Sequence, residues 1–449
     1  MASKAKSKSA ARAKSGARGV VHGLHALSAA SAAQAIAKGE ITSEALVRAC
    51  LDRIAEREPD VRAWVHLDPD HALAQARACD AELQRNGPRG ALHGVPVAVK
   101  DVIDTADMPT QMGSPIFDGW QPKVDAACVA LVRKAGAVIP GKTVTCELAG
   151  IAPRETTNPH DPTRTPGGSS SGSGAAVADF HAPLAFGTQT GGSVLRPASF
   201  CGVVGYKPTY NMINRAGLKF AAESLDTVGL FARSVEDVAL LADVCIDRPP
   251  QALRALAQPP RIGLCRNVMW EANASAETRA AVEGAVERAK AAGAQVRDVV
   301  LDTPFAELFA LRGTINDYER ACGLAWEWAH HRDKLSPQMV KTVEQGLAVS
   351  HAQYQHALRL AEQCRLRLDA MMNGLDVLVT PAADGEAPIG LQYAGNPAFQ
   401  ALWTMLHVPA ITLPLAKGPN GMPVGVQLVG ARWADRGLLE AAHWMMGLA

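Results

Sequence analysis

The nine cysteines of this 449-residue chain, Cys50, Cys79, Cys128, Cys146, Cys201, Cys245, Cys265, Cys322 and Cys364, include no C-x-x-C pair. An odd, scattered set does not make a disulfide framework, and it suits a reducing cytoplasm. No stretch reaches the roughly 18 apolar residues that a membrane helix needs. With 45 Lys and Arg against 44 Asp and Glu, the net charge of +1 supplies no electrostatic reason for a nucleic-acid partner. The 13 histidines show no metal-ligand spacing, and adjacent His330 and His331 would point to different faces of a helix. The sequence therefore predicts no metal, no cofactor, no nucleic acid and no membrane. It also contains no internal repeat.

What is present is a large apolar inventory: 48% hydrophobic residues and 39 glycines, enough for a sizeable core. Met1 to Gly23 carries Lys4, Lys6, Lys8, Arg12, Lys14 and Arg18 with no acidic residue, and is expected to be a disordered, solvated tail. Its composition is like that of an organelle transit peptide, but it lacks the apolar h-region of a secretory signal. Helices are predicted over Ser28 to Lys38 and over Thr42 to Arg57, the latter with Leu46, Val47, Cys50, Leu51 and Ile54 on one face and Thr42 as N-cap. Short apolar strands alternate with helices to about residue 245, which predicts an α/β architecture. A Pro-rich connector follows near Asp247 to Pro250 and Gln258 to Pro260. Helical patterns then occupy Thr278 to Ala292 and His351 to Met371, and strands return at Val377 to Thr380 and Val424 to Val429.

Three segments point to chemistry. Thr188 to Arg196 sets Ser193 beside Gly191 and Gly192, whose missing Cβ atoms let backbone N–H groups converge on one oxygen, while Arg196 can clamp a carboxylate or pair with an internal one. Thr165 to Gly174 is a glycine-serine loop feeding the apolar run Ala175 to Ala178. Lys100 ends the alternating segment Val95 to Val99, so a strand would carry it inward, where desolvation lowers an amine's pKa and makes it a base at ordinary pH. Two other motifs compete. Gly136 to Thr143 fits the phosphate-loop pattern, but Cys128 to Lys134 reads as a helix that Gly136 ends, Ala137 to Ile139 reads as a strand, and Pro140 removes a donor. Gly168 to Gly172 fits the G-x-S-x-G elbow with Ser170 as its serine, but Asn158 to Pro162 is a poor strand to precede it.

Together these segments resemble the amidase signature enzymes. The likeness is carried by Lys100 in Val-Ala-Val-Lys-Asp-Val-Ile-Asp, Ser169 in Pro-Gly-Gly-Ser-Ser-Ser-Gly-Ser, Ser193 in Thr-Gly-Gly-Ser, and Arg196 to Thr209. Further pieces at Gly141 to Thr143, Ser224 to Gly229, Thr380-Pro381 and Pro423 to Gly430 spread it from about Leu24 to near the C-terminus. The resemblance implies one domain over 24–449, with a central mixed β-sheet flanked by α-helices on both faces and a helical covering region at about 260–372. It implies Ser193 as nucleophile, Ser169 as a bridging serine in a cis peptide, Lys100 as base, and the N–H groups of Thr190, Gly191, Gly192 and Ser193 as oxyanion hole. Within the family, Asp104 to Thr110, Met112 to Ser114 and Gly119 to Pro122 are most similar to bacterial malonamidases. There an arginine three residues beyond the nucleophile binds the carboxylate of a small acid amide, which would give Arg196 that role. Amidotransferase A subunits carry an arginine two residues beyond, where this chain has Leu195. The expected function is hydrolysis of a small linear amide bearing a carboxylate, such as malonamate. A glutaminase subunit of a tRNA-dependent amidotransferase and an inactive amidase-like binding protein are the alternatives, and relatives suggest a homodimer.

Overall fold

The computed structural model describes residues 23–449, so the expected basic tail lies, but for Gly23, outside the described residues. The chain builds one eleven-stranded mixed sheet. Its strands are β1 (Trp64–Leu67), β2 (Val97–Lys100), β3 (Gly141–Thr143), β4 (Leu184–Gln189), β5 (Val204–Lys207), β6 (Thr227–Ala232), β7 (Arg261–Cys265), β8 (Gln295–Val299), β9 (Val377–Pro381), β10 (Ala410–Lys417) and β11 (Pro423–Val429). They run in the order β1-β3-β2-β4-β6-β5-β10-β11-β9-β7-β8. Strand β2 is parallel to both β3 and β4, and β7 is parallel to both β8 and β9; the remaining pairs are antiparallel.

Both faces of the sheet are covered because its central strands are apolar on both sides. On β2, Val97 and Val99 join the largest core cluster while Ala98 between them packs with Val177 and Ala198 on the opposite face. Strand β9 repeats the pattern, with Val377 and Val379 on one side and Leu378 on the other. The helices Val235–Cys245, Ala276–Ala291 and Asp435–Met446 fill the first face, and Ser171–Ala178, Leu195–Cys201, Thr303–Ala310 and His351–Met371 contribute to the second. The mixed sheet with two helical layers is the architecture expected from the sequence.

The N-terminal helices also form where expected. Ser28 accepts from Ser31 N ahead of Ala29–Ala37, and Thr42 accepts from Ala45 N ahead of Ser43–Val61. The second helix runs past Arg57, through Pro59 to Val61, and all five residues of its predicted apolar face are buried.

Two expectations need correction. The region 260–372 is not uniformly helical, since β7 and β8 lie inside it and extend the sheet to its far edge; the helical cover proper is Thr303–Ala310 through His351–Met371. Ala137 to Ile139 is not a strand either, because Val138 makes only an isolated bridge to Pro96 and β3 starts at Gly141. The phosphate-loop pattern there is occupied structurally. The N–H groups of Gly136, Ala137, Val138 and Ile139 already donate to Arg133, Val132, Val95 and Gln75, and Lys142 is sealed in the core with its Nζ 2.6 Å from Thr110 Oγ1.

Candidate active site

Three elements converge above the C-terminal end of β2. Strand β2 ends on Lys100, β4 brings Thr188 alongside it through the parallel register Val97 to Leu184, and the turn before the helix Ser171–Ala178 supplies Ser169. Lys100 is fully buried, with Nζ 2.8 Å from Ser169 Oγ and 2.8 Å from Thr188 Oγ1. Desolvation lowers its pKa from the usual 10.5 to about 7, since no carboxylate lies within ion-pairing distance among the described residues. The amine is therefore poised to accept a proton near neutrality. The Gly168–Ser169 peptide is cis.

The serine-rich turn is fixed by neighbours on every side. Ser169 O accepts from Cys146 N at 3.1 Å, Ser170 Oγ is held between Thr188 O and Thr188 N at 3.3 Å each, and Ser173 Oγ donates to Phe186 O at 2.7 Å. Ser170 is completely buried, which removes it as the serine of an elbow. Close packing also explains the glycines. A Cβ on Gly168 would lie 2.8 Å from Cys146 Sγ, and one on Gly187 2.8 Å from Ser170 Oγ.

The loop Thr190 to Ser193 follows β4 directly. Gln189 braces it from beneath, its Oε1 accepting from Val194 N at 3.0 Å and Leu195 N at 3.1 Å, its Nε2 donating to Thr404 Oγ1 at 3.0 Å. Thr404 Oγ1 in turn donates to Gly191 O at 3.0 Å. At the loop's start Thr190 Oγ1 donates to buried Asp226, whose other oxygen accepts from Ala221 N and Ala222 N. Burial pushes the Asp226 carboxyl up, and these donors oppose the shift. Braced in this way, the loop leaves four consecutive N–H groups, those of Thr190, Gly191, Gly192 and Ser193, without an acceptor among the described residues. Ser193 Oγ also makes no hydrogen bond among them, and Ser193 is 7% exposed. The Ser169 and Ser193 segments are joined by Ser170 N donating to Ser193 O at 3.4 Å; the two hydroxyls are not hydrogen-bonded to each other.

Arg196 sits in the helix Leu195–Cys201 and is 4% exposed. Its Nη2 donates to Gly168 O at 2.5 Å, while Nε and Nη1 are buried without a partner, and no internal carboxylate pairs with it among the described residues. Desolvation lowers even this guanidinium to about 10. Its surroundings are the backbones of Gly192 and Gly395, where a Cβ would fall 3.2 Å from Nη1 and 2.9 Å from Nε. Cys201, near Ser193 in sequence, is core: it is buried, and desolvation drives its thiol far above the ordinary range.

Sequence reasoning thus placed Lys100, Ser169, Ser193 and Arg196 in one neighbourhood, and it missed Thr188, Gln189, Asp226, Thr404 and Cys146. Thr188 and Gln189 stand in the segment Thr188 to Arg196 and Asp226 in Ser224 to Gly229, but nothing in the sequence alone gave these side chains a role.

Comparison with known proteins agrees with this geometry. The protein-family model described as Amidase matches residues 45–439. The A subunit of glutamyl-tRNA(Gln) amidotransferase from Chloroflexus aurantiacus is 34% identical over 467 residues, covering 93% of this chain and 95% of that protein. A solved amidase superposes with a TM-score of 0.86 at 32% identity, over 94% of this chain and 99% of its own. The peptide amidase of Stenotrophomonas maltophilia gives a TM-score of 0.79 at 29% identity, over 94% and 96%. The finer likeness to malonamidases is not what these relatives display, since the curated ones are amidotransferase subunits.

Proposed function

Because this chain belongs to the amidase signature family of amidohydrolases, we propose that it hydrolyses the C–N bond of a small linear amide carrying a carboxylate on its acyl side, malonamate being the simplest. In this reading neutral Lys100 takes the proton of Ser169 as Ser169 takes that of Ser193, and Ser193 Oγ attacks the carbonyl carbon. The negative charge collects on the carbonyl oxygen, held by the N–H groups of Thr190, Gly191, Gly192 and Ser193. The proton returns through Ser169 to the amide nitrogen, the C–N bond breaks, and ammonia leaves an acyl ester on Ser193. Water then adds with its proton drawn off by the same route, and the acid is released. The relay requires the Ser169 and Ser193 hydroxyls to come into hydrogen-bond contact when substrate binds, a tightening common when a site fills.

The observation that carries the substrate reading is Arg196. A guanidinium 4% exposed with no internal counter-ion among the described residues is costly to bury, and a substrate carboxylate would supply the missing charge once the Gly192 and Gly395 backbones that enclose its free nitrogens make way. The test is ammonia release from malonamate, malonamide, glutamine and propionamide by the wild type and by Ser193→Ala. Malonamate is expected to be turned over selectively and only with Ser193 present; turnover favouring the neutral amides would remove the role given to Arg196 and leave the serine chemistry.

The second reading, a glutaminase subunit that works with a partner, is favoured by the amidotransferase relatives that align along almost the whole chain. Buried Leu195 speaks against it, since the family resemblance implies an arginine at that position in amidotransferase A subunits. Glutamine-dependent transamidation on adding a partner protein, with malonamate left untouched, would establish it instead.

A further inference from the structure

A second guanidinium shares Arg196's predicament. Arg320, on the helix Arg312–Gly323 of the cover, is 4% exposed and forms no ion pair among the described residues. Its Nη1 donates to Leu148 O at 2.9 Å and touches Met339 Sδ at 4.0 Å, while Nε and Nη2 make no hydrogen bond among them. Unlike the free nitrogens of Arg196, these two are not sealed from solvent. Leu148 belongs to the turn after Cys146, whose N–H holds Ser169 O, so Arg320 is anchored two residues from the backbone that fixes Ser169.

The two arginines stand at opposite ends of the amide-presenting loop. Arg196 lies against Gly192, near its C-terminal end. The helix of Arg320 docks beside the loop's N-terminal end, where the adjoining Glu319 accepts from Ser224 N at 2.8 Å, two residues before Asp226, which holds the Thr190 hydroxyl. A carbonyl oxygen seated over the loop would therefore have a buried, incompletely partnered cation to either side.

We infer that Arg320 forms a second anion subsite, which receives a carboxylate on the amine side of the scissile bond, so that the substrate class extends to amides of short amino acids. This rests on the reading of Arg196 as the acyl-side clamp, because that assignment leaves the opposite end of the loop to the leaving group. Chemically the step is unchanged: the C–N bond breaks with its proton delivered to nitrogen, and an amino acid departs in place of ammonia. The placement of Arg320 on the cover also gives those helices a function, since they would carry leaving-group specificity while the sheet carries the reaction.

The test uses three amides: malonamate, charged only on the acyl side; N-propionylglycine, charged only on the amine side; and the neutral N-propylpropionamide. Each is assayed with wild type, Arg320→Gln, Arg320→Lys and Arg196→Gln. Wild type is expected to prefer N-propionylglycine to the neutral amide at least tenfold in kcat/KM. Arg320→Gln should erase that preference through KM, with Arg320→Lys restoring part of it, and Arg196→Gln should instead erode the preference for malonamate. An equal loss on all three substrates would assign Arg320 a structural or purely electrostatic role and overturn the subsite, as would a wild type indifferent to the amine-side carboxylate. If malonamate is not preferred while N-propionylglycine is, the acyl-side reading fails and Arg320 stands. Should turnover be too slow to measure, calorimetric binding of N-propionylglycine to Ser193→Ala decides: binding lost on adding Arg320→Gln supports the subsite, and no binding with Arg320 intact overturns it.

Discussion

A lysine amine completely enclosed by protein, with two hydroxyls and no carboxylate for company, has little choice of protonation state near neutral pH. Desolvation dominates at Lys100 and brings its pKa to about 7. The sign of the consequence is fixed. The neutral amine is the base, so kcat/KM should rise with pH through about 7 and level off above it, giving an acid limb of unit slope. Lys100→Met should abolish turnover while leaving the fold intact, since a neutral side chain of similar length replaces one that burial already disfavours as a cation. Ser193→Ala should remove activity and Thr188→Val should reduce it, because Thr188 fixes the amine toward Ser169. An acid limb near pH 10 would show that Lys100 keeps its ordinary pKa and would remove it as the base. At this scale the residues legible in the sequence were those within contiguous motifs, Lys100, Ser169, Ser193 and Arg196. Asp226 and Arg320 lie 36 residues and more from the groups they serve, and only tertiary folding brings them there.

Among the elements, the helix Ser171–Ala178 bears most directly on the site, because the turn leading into it presents Ser169 while its glycines let it press against β3. Gly172 shows how tightly. A Cβ there would fall 2.5 Å from Val144 N and closer still to Ala63 O, both backbone atoms that cannot turn aside. Gly172→Ala should therefore destabilise the protein by about 1–3 kcal/mol, in the range of overpacked cores, and should depress kcat beyond what the stability loss explains, by shifting Ser169 from Lys100. Thermal unfolding and kinetics on the same preparation check both; a fully active, equally stable variant would show that the turn has slack the packing does not reveal. The helix itself was legible from an apolar run behind a glycine-serine loop. Strands β7 and β8 were not, and the reason is physical. Strand β8, Gln295–Val299, is the sheet's edge, mostly exposed, and its polar residues give none of the apolar signal that marks a buried strand. The phosphate-loop pattern misleads in the opposite way, since Gly136 and Lys142 are fixed by helix termination and core hydrogen bonding and the pattern of letters cannot express either.

Across the whole molecule, the cover must stay docked on the sheet for any of this to work, and one half-buried histidine makes that docking sensitive to acid. His407 precedes β10 and stacks on Tyr210 with ring centroids 4.0 Å apart; its Nε2 lies 2.8 Å from Ser224 O and 3.0 Å from Arg365 Nη2 of the long cover helix His351–Met371. Burial first, then the nearby Arg365, Lys207 and Arg432, lower its pKa from 6.5 to about 3. A folded-state pKa below the unfolded value means the unfolded chain binds the proton first, so stability is full above about pH 6.5 and is lost as pH falls toward 3. The limiting slope is about 1.4 kcal/mol per pH unit for one such group, which integrates to roughly 2 kcal/mol between pH 6.5 and 4.5. His407→Gln offers Arg365 an acceptor and Ser224 O a donor through separate atoms, where the one Nε2 of histidine can serve only one of them, and it cannot titrate. Urea unfolding at the two pH values should therefore show a smaller acid loss in the variant than in the wild type, by an amount approaching that figure. Equal losses would locate the acid sensitivity in the carboxylates. Because Ser224 lies two residues before Asp226, a charged His407 would repel Arg365 of the cover and disturb the anchor of the amide-presenting loop together; with a folded-state pKa of about 3 this happens only near that pH, well below the acid limb set by Lys100, and should reverse on neutralisation.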